Sequence, residues 1–361
     1  MASLKEIKDR IASVGGTLKI TSAMKMVASA KLHKAQQAIG NMLPYEKRLH
    51  SMLIDLMGSV NMSAPASEEG SDRLVSLSNQ PDVAEHRFDT SASSVSSRGY
   101  TESEETYSLM TQREVHRVAI VAFASNSSLC GAFNSNAIRE ATAVINEYRA
   151  SGLRDSDIVV YSVGRRMAEA MRKLGFPSPA DFTKMSDSPS YEAASALAQE
   201  LLDGFVSGRF DKVELVYNHY KSTSSQPTTR QTYLPLSLAD ATADLQAGKI
   251  TDSASESDTN RGAEPVGAPV VRQGSPTTED LIVEPSKEAL IATLLPKVIR
   301  LRIFTTLLDS AAAEHAARTV AMQLATDNGN DLLQELTLEY NKGRQQKITS
   351  EILDLVGGSM Q

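Results

Sequence analysis

Few residues in this chain are placed to do chemistry of their own. The 361-residue sequence holds one cysteine, Cys130, and six scattered histidines: His33, His50, His86, His116, His219 and His315. A cysteine just ahead of a helix can have a lowered pKa and act as a nucleophile. Cys130 stands in SNSSLCGAFN (125–134), where a strand pattern gives way to a helical one, with no histidine beside it and no acid placed to orient one. The expectation is a thiol packed into a tight turn. A single cysteine excludes an intramolecular disulfide and a cysteine-based zinc site. Gly131 and Gly164 do not build a GxGxxG or Walker A phosphate loop, so no cofactor is expected. The other candidates lie near the C-terminus, in NKGRQQKITSEILDLV (341–356). The guanidinium of Arg344 is a rigid fork that can hold a carboxylate at two points. The plainer reading of the stretch is a solvated helix face, with Lys347 and Glu351 paired four residues apart.

These residues need long elements to carry them. The chain is 41% hydrophobic and 22% charged, with no Trp and 5% aromatic residues. Plentiful Ala, Leu, Met, Glu and Lys suit long helices. A net charge of −7 argues against a dedicated nucleic-acid binder. Residues 1–58 nonetheless carry nine Lys and Arg against four acids. MASLKEIKDR lacks the apolar core of a signal peptide, and no apolar run approaches membrane-spanning length. A cytosolic protein, alone or attached to something larger, is expected.

Residues 1–58 read as one helix. Leu4, Ile7, Ile11, Val14 and Leu18 alternate steps of three and four, the seam of a coiled coil, and the frame continues through Thr21, Lys25, Ala28, Leu32, Ala35 and Ile39. Ser3 with Glu6 makes a capping box. Gly15 and Gly16 predict close approach of another backbone, or a bend; Pro44 predicts a kink. A helix of that length, on the order of 80 Å, needs a partner helix or an enclosing assembly. Residues 59–112 are serine-rich and acidic and read as a loosely held insertion. Between 113 and 236, strands at Val115–Phe123, Asp157–Val163, Val213–Tyr220 and Thr229–Leu236 alternate with helices at Asn134–Arg149, Arg165–Leu174 and Tyr191–Val206. That order predicts a mainly parallel sheet with helices on its faces and a closing hairpin. Residues 237–285 form a second acidic, flexible insertion. From Ser286, a plausible cap, to 361 the pattern is helical, with Pro296 near its start and Leu332, Leu336 and Tyr340 in the seam. The predicted fold is α/β: an antiparallel coiled coil of the N- and C-terminal helices plus a central Rossmann-like α/β domain.

At three places the sequence resembles one family. IKDRIASVGGTLKITSAMKMVASAKLHKAQ, SNSSLCGAFN and ATDNGNDLLQELTLEYNKGRQQKITSEILDLVGGSM are similar to the opening, first strand-to-helix turn and closing signature of the gamma subunit of F-type ATP synthases. The resemblance covers 1–58, 113–236 and 286–361. Asn126, Ser127 and Ser128 depart from the family's acidic, basic and glycine residues in the turn, and Thr319 stands where a methionine is usual.

The resemblance implies a non-catalytic rotor. Its coiled coil would turn inside a hexameric ring of α and β subunits, and its α/β domain would rest on the epsilon subunit and the membrane-embedded c-subunit ring. Membrane association would come only through the complex, at the cytoplasmic face of a bacterial inner membrane. The family match makes Arg344 and Gln345 contacts to an acidic loop of β, with Thr349 and Glu351 coupled to them and Met24 and Lys25 facing another β loop. Ile352, Leu355 and Val356 become an apolar bearing tip. A shaft can shift a site only by binding its states differently. Moving a two-state site from end to end takes roughly 5.5 kcal/mol, within reach of a few charge-assisted contacts of about 1.5–3 kcal/mol each. Two other readings stand beside the rotor: a non-rotary coiled-coil adaptor, and an enzyme on the α/β domain that depends on Cys130.

Overall fold

The computed structural model describes residues 3–62, 109, 112–236 and 286–358. Its frame is two helices. Helix α1 spans Leu4–Met62, 59 residues and about 90 Å. It runs through Pro44 and continues four residues past the expected end at 58. The Ser3 hydroxyl caps it by accepting the Glu6 N–H at 3.2 Å, while the Glu6 carboxylate turns to Arg10 at 3.0 Å.

The C-terminal helix spans Lys287–Gly358, 72 residues and about 110 Å, and runs through Pro296. The Ser286 hydroxyl accepts the Ala289 N–H at 3.1 Å, as its position predicts. The two helices lie antiparallel. Thr326 donates a hydrogen bond to Thr21 at 3.0 Å, and Leu32 packs on Ala312 and Ala316. The C-terminal helix presents Met322, Thr326, Gly329, Leu333, Leu336, Tyr340 and Gly343 as its buried or half-buried seam, in alternating steps of four and three.

Two details of the seam differ from expectation. Leu332 is 44% exposed and Leu333 takes the inward position. A Cβ on Gly15 or Gly16 would meet nothing within 4 Å, so no backbone among the described residues approaches there. The close approach is on the other helix. A Cβ on Gly329 would lie 2.6 Å from Leu18 Cδ2, and one on Gly343 3.1 Å from Leu4 Cδ2. Leucines of α1 are received where the partner helix has no side chain.

The α/β domain stands beside this frame. Strands β1 (Val118–Phe123), β2 (Ile158–Val163), β3 (Lys212–Asn218) and β4 (Thr228–Leu234) form one sheet in the order β2-β1-β3-β4. β1 is parallel to β2 and β3; β4 returns antiparallel to β3. Helices α2 (Phe133–Ala150) and α3 (Arg165–Lys173) cover one face through Ala137, Ala141, Ile145, Met167 and Met171. A five-residue helix α4 (Thr183–Asp187) was not expected; it is too short to carry a period. Helix α5 (Tyr191–Val206) covers the other face with Leu197, Leu201 and Phe205. Numbering the C-terminal helix α6, its lower part from Ile291 to Leu307 shares that core with Leu49, Leu53 and Leu56 of α1. The sheet is therefore doubly wound, and both long helices are built into its second layer.

Strand ends moved for local reasons. β1 starts at Val118, not Val115, because the His116 and Arg117 N–H groups are drawn to the Asp211 carboxylate at 2.9 and 2.8 Å. Past Asn218 the His219 N–H still reaches the Pro227 carbonyl at 2.9 Å, but the pairing ends there because Tyr220 turns its N–H to Asp309 of α6. The acidic stretches 59–112 and 237–285 lie outside the described residues, apart from the end of α1, Leu109 and residue 112. Leu109 is buried, and its carbonyl accepts the Leu236 N–H at 3.1 Å. That bond joins the end of the first stretch to the start of the second.

Candidate functional site: the free end of the coiled coil

Helix α6 outlasts its partner. Gly343 is the last position met by α1, at Leu4, and Arg344–Gly358 continue for about 22 Å. Every side chain from Arg344 to Val356 is exposed. Helical spacing sorts them into neighbouring stripes: Arg344, Ile348, Glu351 and Leu355 on one, Gln345, Thr349, Ile352 and Val356 on the next. A shallow open groove along the helix is lined by Lys342, Gln345, Gln346, Thr349, Ser350 and Leu353. The Thr349 hydroxyl is turned back to the Gln345 carbonyl at 2.9 Å, and Lys347 sits 3.8 Å from Glu351. At this exposure that pair contributes little. Beyond the polar turns, Ile348, Ile352, Leu353, Leu355 and Val356 are 47–75% exposed. Bare apolar side chains gathered at one tip mark a surface made for a neighbour.

Met24 and Lys25 are elsewhere. Both are half-buried on α1, beside the exposed Ile20, Met26 and Val27. Thr21 pairs with Thr326, so these residues sit level with about residue 322 of α6. Arg344 lies some 22 residues, about 33 Å, further along the shaft. The two candidate groups are separate stations on one axle.

Cys130 is 1% exposed. Its sulfur is 3.1 Å from Asn134 Nδ2, 3.7 Å from Ser125 Oγ and 3.9 Å from the Ser127 carbonyl, none of them a base. It packs with Phe133 against Ala313 of α6. The turn holding it matches the packed role expected from the sequence.

A narrow crevice lies at the carboxyl ends of β1 and β2, the end of the sheet at which open α/β folds hold ligands. Here Leu307, Ser310, Ala311 and Glu314 of α6 lie in it against Phe123, Ala124 and Val163, leaving a cavity of about 10 Å³. Gly164 closes the crevice wall: its φ is +98°, and a Cβ there would fall 2.0 Å from the Ala124 carbonyl oxygen. Arg318, 11% exposed, reaches from Glu314 (2.7 Å) to the Ser127 hydroxyl (2.7 Å). Burial pushes the Glu314 carboxyl up, partly offset by Arg318. Burial, with Arg318 and Lys31 nearby, pushes His315 down to about 4. Two of the three departures in the turn are in use: Asn126 donates to the Thr183 carbonyl at 2.7 Å and accepts the Arg165 N–H at 2.8 Å, and Ser127 receives Arg318.

Sequence reading missed two polar groups. Glu214, 1% exposed on β3, is held by Arg230 Nε at 2.7 Å, Lys212 at 2.7 Å and the Tyr148 hydroxyl at 2.6 Å. Burial pushes its carboxyl up, but hydrogen bonds from Arg230, Lys212 and Tyr148 outweigh it and hold the group below the usual range. The second group joins His219, Tyr220, Asp309 and Gln36. The signal for each was a charge inside an apolar run, VELVY and LLDSAAA.

A long antiparallel helix pair with a bare tip, carrying a doubly wound domain at its foot, defines an axle-like subunit. Comparison with known proteins agrees. The ATP synthase family model of the ATP-synt type matches residues 3–360. The ATP synthase gamma chain of Phocaeicola vulgatus is 46% identical over 360 residues, covering 100% of both chains. That of Bacteroides thetaiotaomicron is 44% identical over 362 residues, again covering 100% of both. In fold, the chain is similar to the rotor of the Euglena gracilis mitochondrial ATP synthase in rotational state 1, with a TM-score of 0.51 and 17% identity over 96% of this chain and 98% of that one. A chain in the OSCP/F1/c-ring structure of the same enzyme, rotational state 3, gives 0.52 and 18% over 99% and 93%. The chain belongs to the ATP synthase gamma-chain family.

Proposed function

We propose that this chain is the central-stalk rotor subunit of an F-type ATP synthase. It couples ion flow through the membrane sector to ATP synthesis or hydrolysis on the catalytic β subunits, and has no active site of its own. One observation supports this reading above others: α6 runs about 22 Å past its partner with its collar and tip bare. In this reading the coiled coil turns within the α and β ring, and the foot rests on the epsilon subunit and c-subunit ring. Arg344, Gln345, Thr349 and Glu351 engage a β loop; Met24 and Lys25 engage another; Ile352 and Leu355 run in the apolar bearing. Among the described residues no helix is long and apolar enough to cross a membrane. The chain is held at the cytoplasmic face of the inner membrane through the complex. The serine-rich and acidic stretches 59–112 and 237–285 are insertions between the coiled-coil helices and the domain.

The test is purification from native membranes. The chain is expected to co-purify with α and β subunits; its absence from that complex would sink the rotor reading. Within the complex, Arg344→Ala with Gln345→Ala is expected to slow ATP turnover at least tenfold. That corresponds to losing about 1.4 kcal/mol or more of differential contact.

A further inference from the structure

The α/β domain is fixed to the shaft at more than one height. The lower attachment is the apolar core shared by α5, Leu49, Leu53 and Leu56 of α1, and Ile291 to Leu307 of α6. The upper one begins at a polar node where α1, α6 and the domain meet, and continues along α6 through Ala313 against Cys130 and Phe133 to Arg318 on Ser127. Tyr220 leaves the end of β3 and wedges between the layers. It packs against Leu32, Ala312 and Ala316 on one side and Cys130, Phe133 and Ala313 on the other. Its hydroxyl accepts the Gln36 side-chain amide of α1 at 2.6 Å. Its backbone N–H donates to Asp309 of α6 at 2.9 Å, and His219 Nδ1 lies 2.6 Å from the other Asp309 oxygen.

A body fixed at one height can tilt about that attachment; fixed at two, it cannot. The apolar attachment runs along α6 from Ile291 to Leu307, and from its middle, near Ile299, to Asp309 the two fixings are about 15 Å apart. We infer that Gln36, His219, Tyr220 and Asp309 anchor the second fixing to both long helices, so that rotation imposed on the α/β domain reaches the coiled coil without tilt. This rests on the rotor reading, and it names positioning residues, not contacts to β.

The experiment compares two activities of the same variants. ATP hydrolysis by the detached sector of α, β and this chain needs only the shaft; ATP synthesis by the membrane-bound complex needs rotation to pass from foot to shaft. Tyr220→Ala with Asp309→Ala is expected to leave detached-sector hydrolysis within twofold and to lower synthesis at least fivefold. Tyr220→Phe, which keeps the ring and loses the Gln36 bond, should fall between. Unchanged synthesis, or an equal fall in both activities, overturns the inference. If the double variant fails to assemble, Tyr220→Phe and Asp309→Asn decide it on the same split. Failure of the wild-type chain to co-purify with α and β rejects the rotor reading itself, a separate result.

Discussion

At the scale of residues, the decisive groups are charges inside apolar runs. Glu214 sits on a central strand with Arg230, Lys212 and Tyr148 converging on it. Glu214→Ala leaves Arg230 and Lys212 around an empty pocket and is expected to destabilise the chain by about 3 kcal/mol in urea unfolding. Because its folded pKa is depressed, its contribution is present above the ordinary carboxylate range and is lost as pH falls through the folded value. His219 has the opposite sign. Its hydrogen bond to Asp309, partly offset by burial and Lys221, raises its pKa. Its contribution is complete below its ordinary pKa of about 6.5 and fades as pH rises through the higher folded value. The melting-temperature gap between wild type and His219→Gln should therefore shrink from pH 6 to pH 8. Neither partnership was legible in the sequence. Glu214 and Arg230 are sixteen residues apart and His219 and Asp309 ninety, and only strand pairing and helix docking bring them together.

At the scale of elements, the sequence spoke more clearly. Period and caps located both long helices, because Ser3 and Ser286 each begin a run that nothing later interrupts. Continuous apolar runs located β1, β2 and β3, because these strands are buried on both faces. Strand ends were less legible, since Asp211 and Asp309 draw backbone N–H groups away from the sheet. The glycines divide in a way no pattern announces. A Cβ on Gly16 meets nothing, so Gly16→Ala should stabilise the isolated chain by about 1 kcal/mol through helix propensity alone. Gly329→Val would drive into Leu18 and should destabilise it; thermal melts of the two variants should move in opposite directions.

At the scale of the whole molecule, the free end of α6 carries no part of the fold. Truncation after Gly343 should leave unfolding free energy within about 0.5 kcal/mol of the full chain, while removing the collar and tip on which function is proposed to depend. The sequence showed that this end is polar and then apolar. It did not show how far it projects, because that depends on where Leu4 meets Gly343. One further property follows from α6 being unbroken from Lys287 to Gly358. Each residue of a helix advances it by about 100°. The angle between the foot and Arg344 is thus set by counting residues, as the lobes of a camshaft are set against its drive gear. Deleting a single residue between Asp309 and Arg344 would mistime the collar by nearly the spacing between neighbouring catalytic sites in a threefold ring. Inserting seven, with a matching insertion in α1, would return it to within about 20° of its original phase.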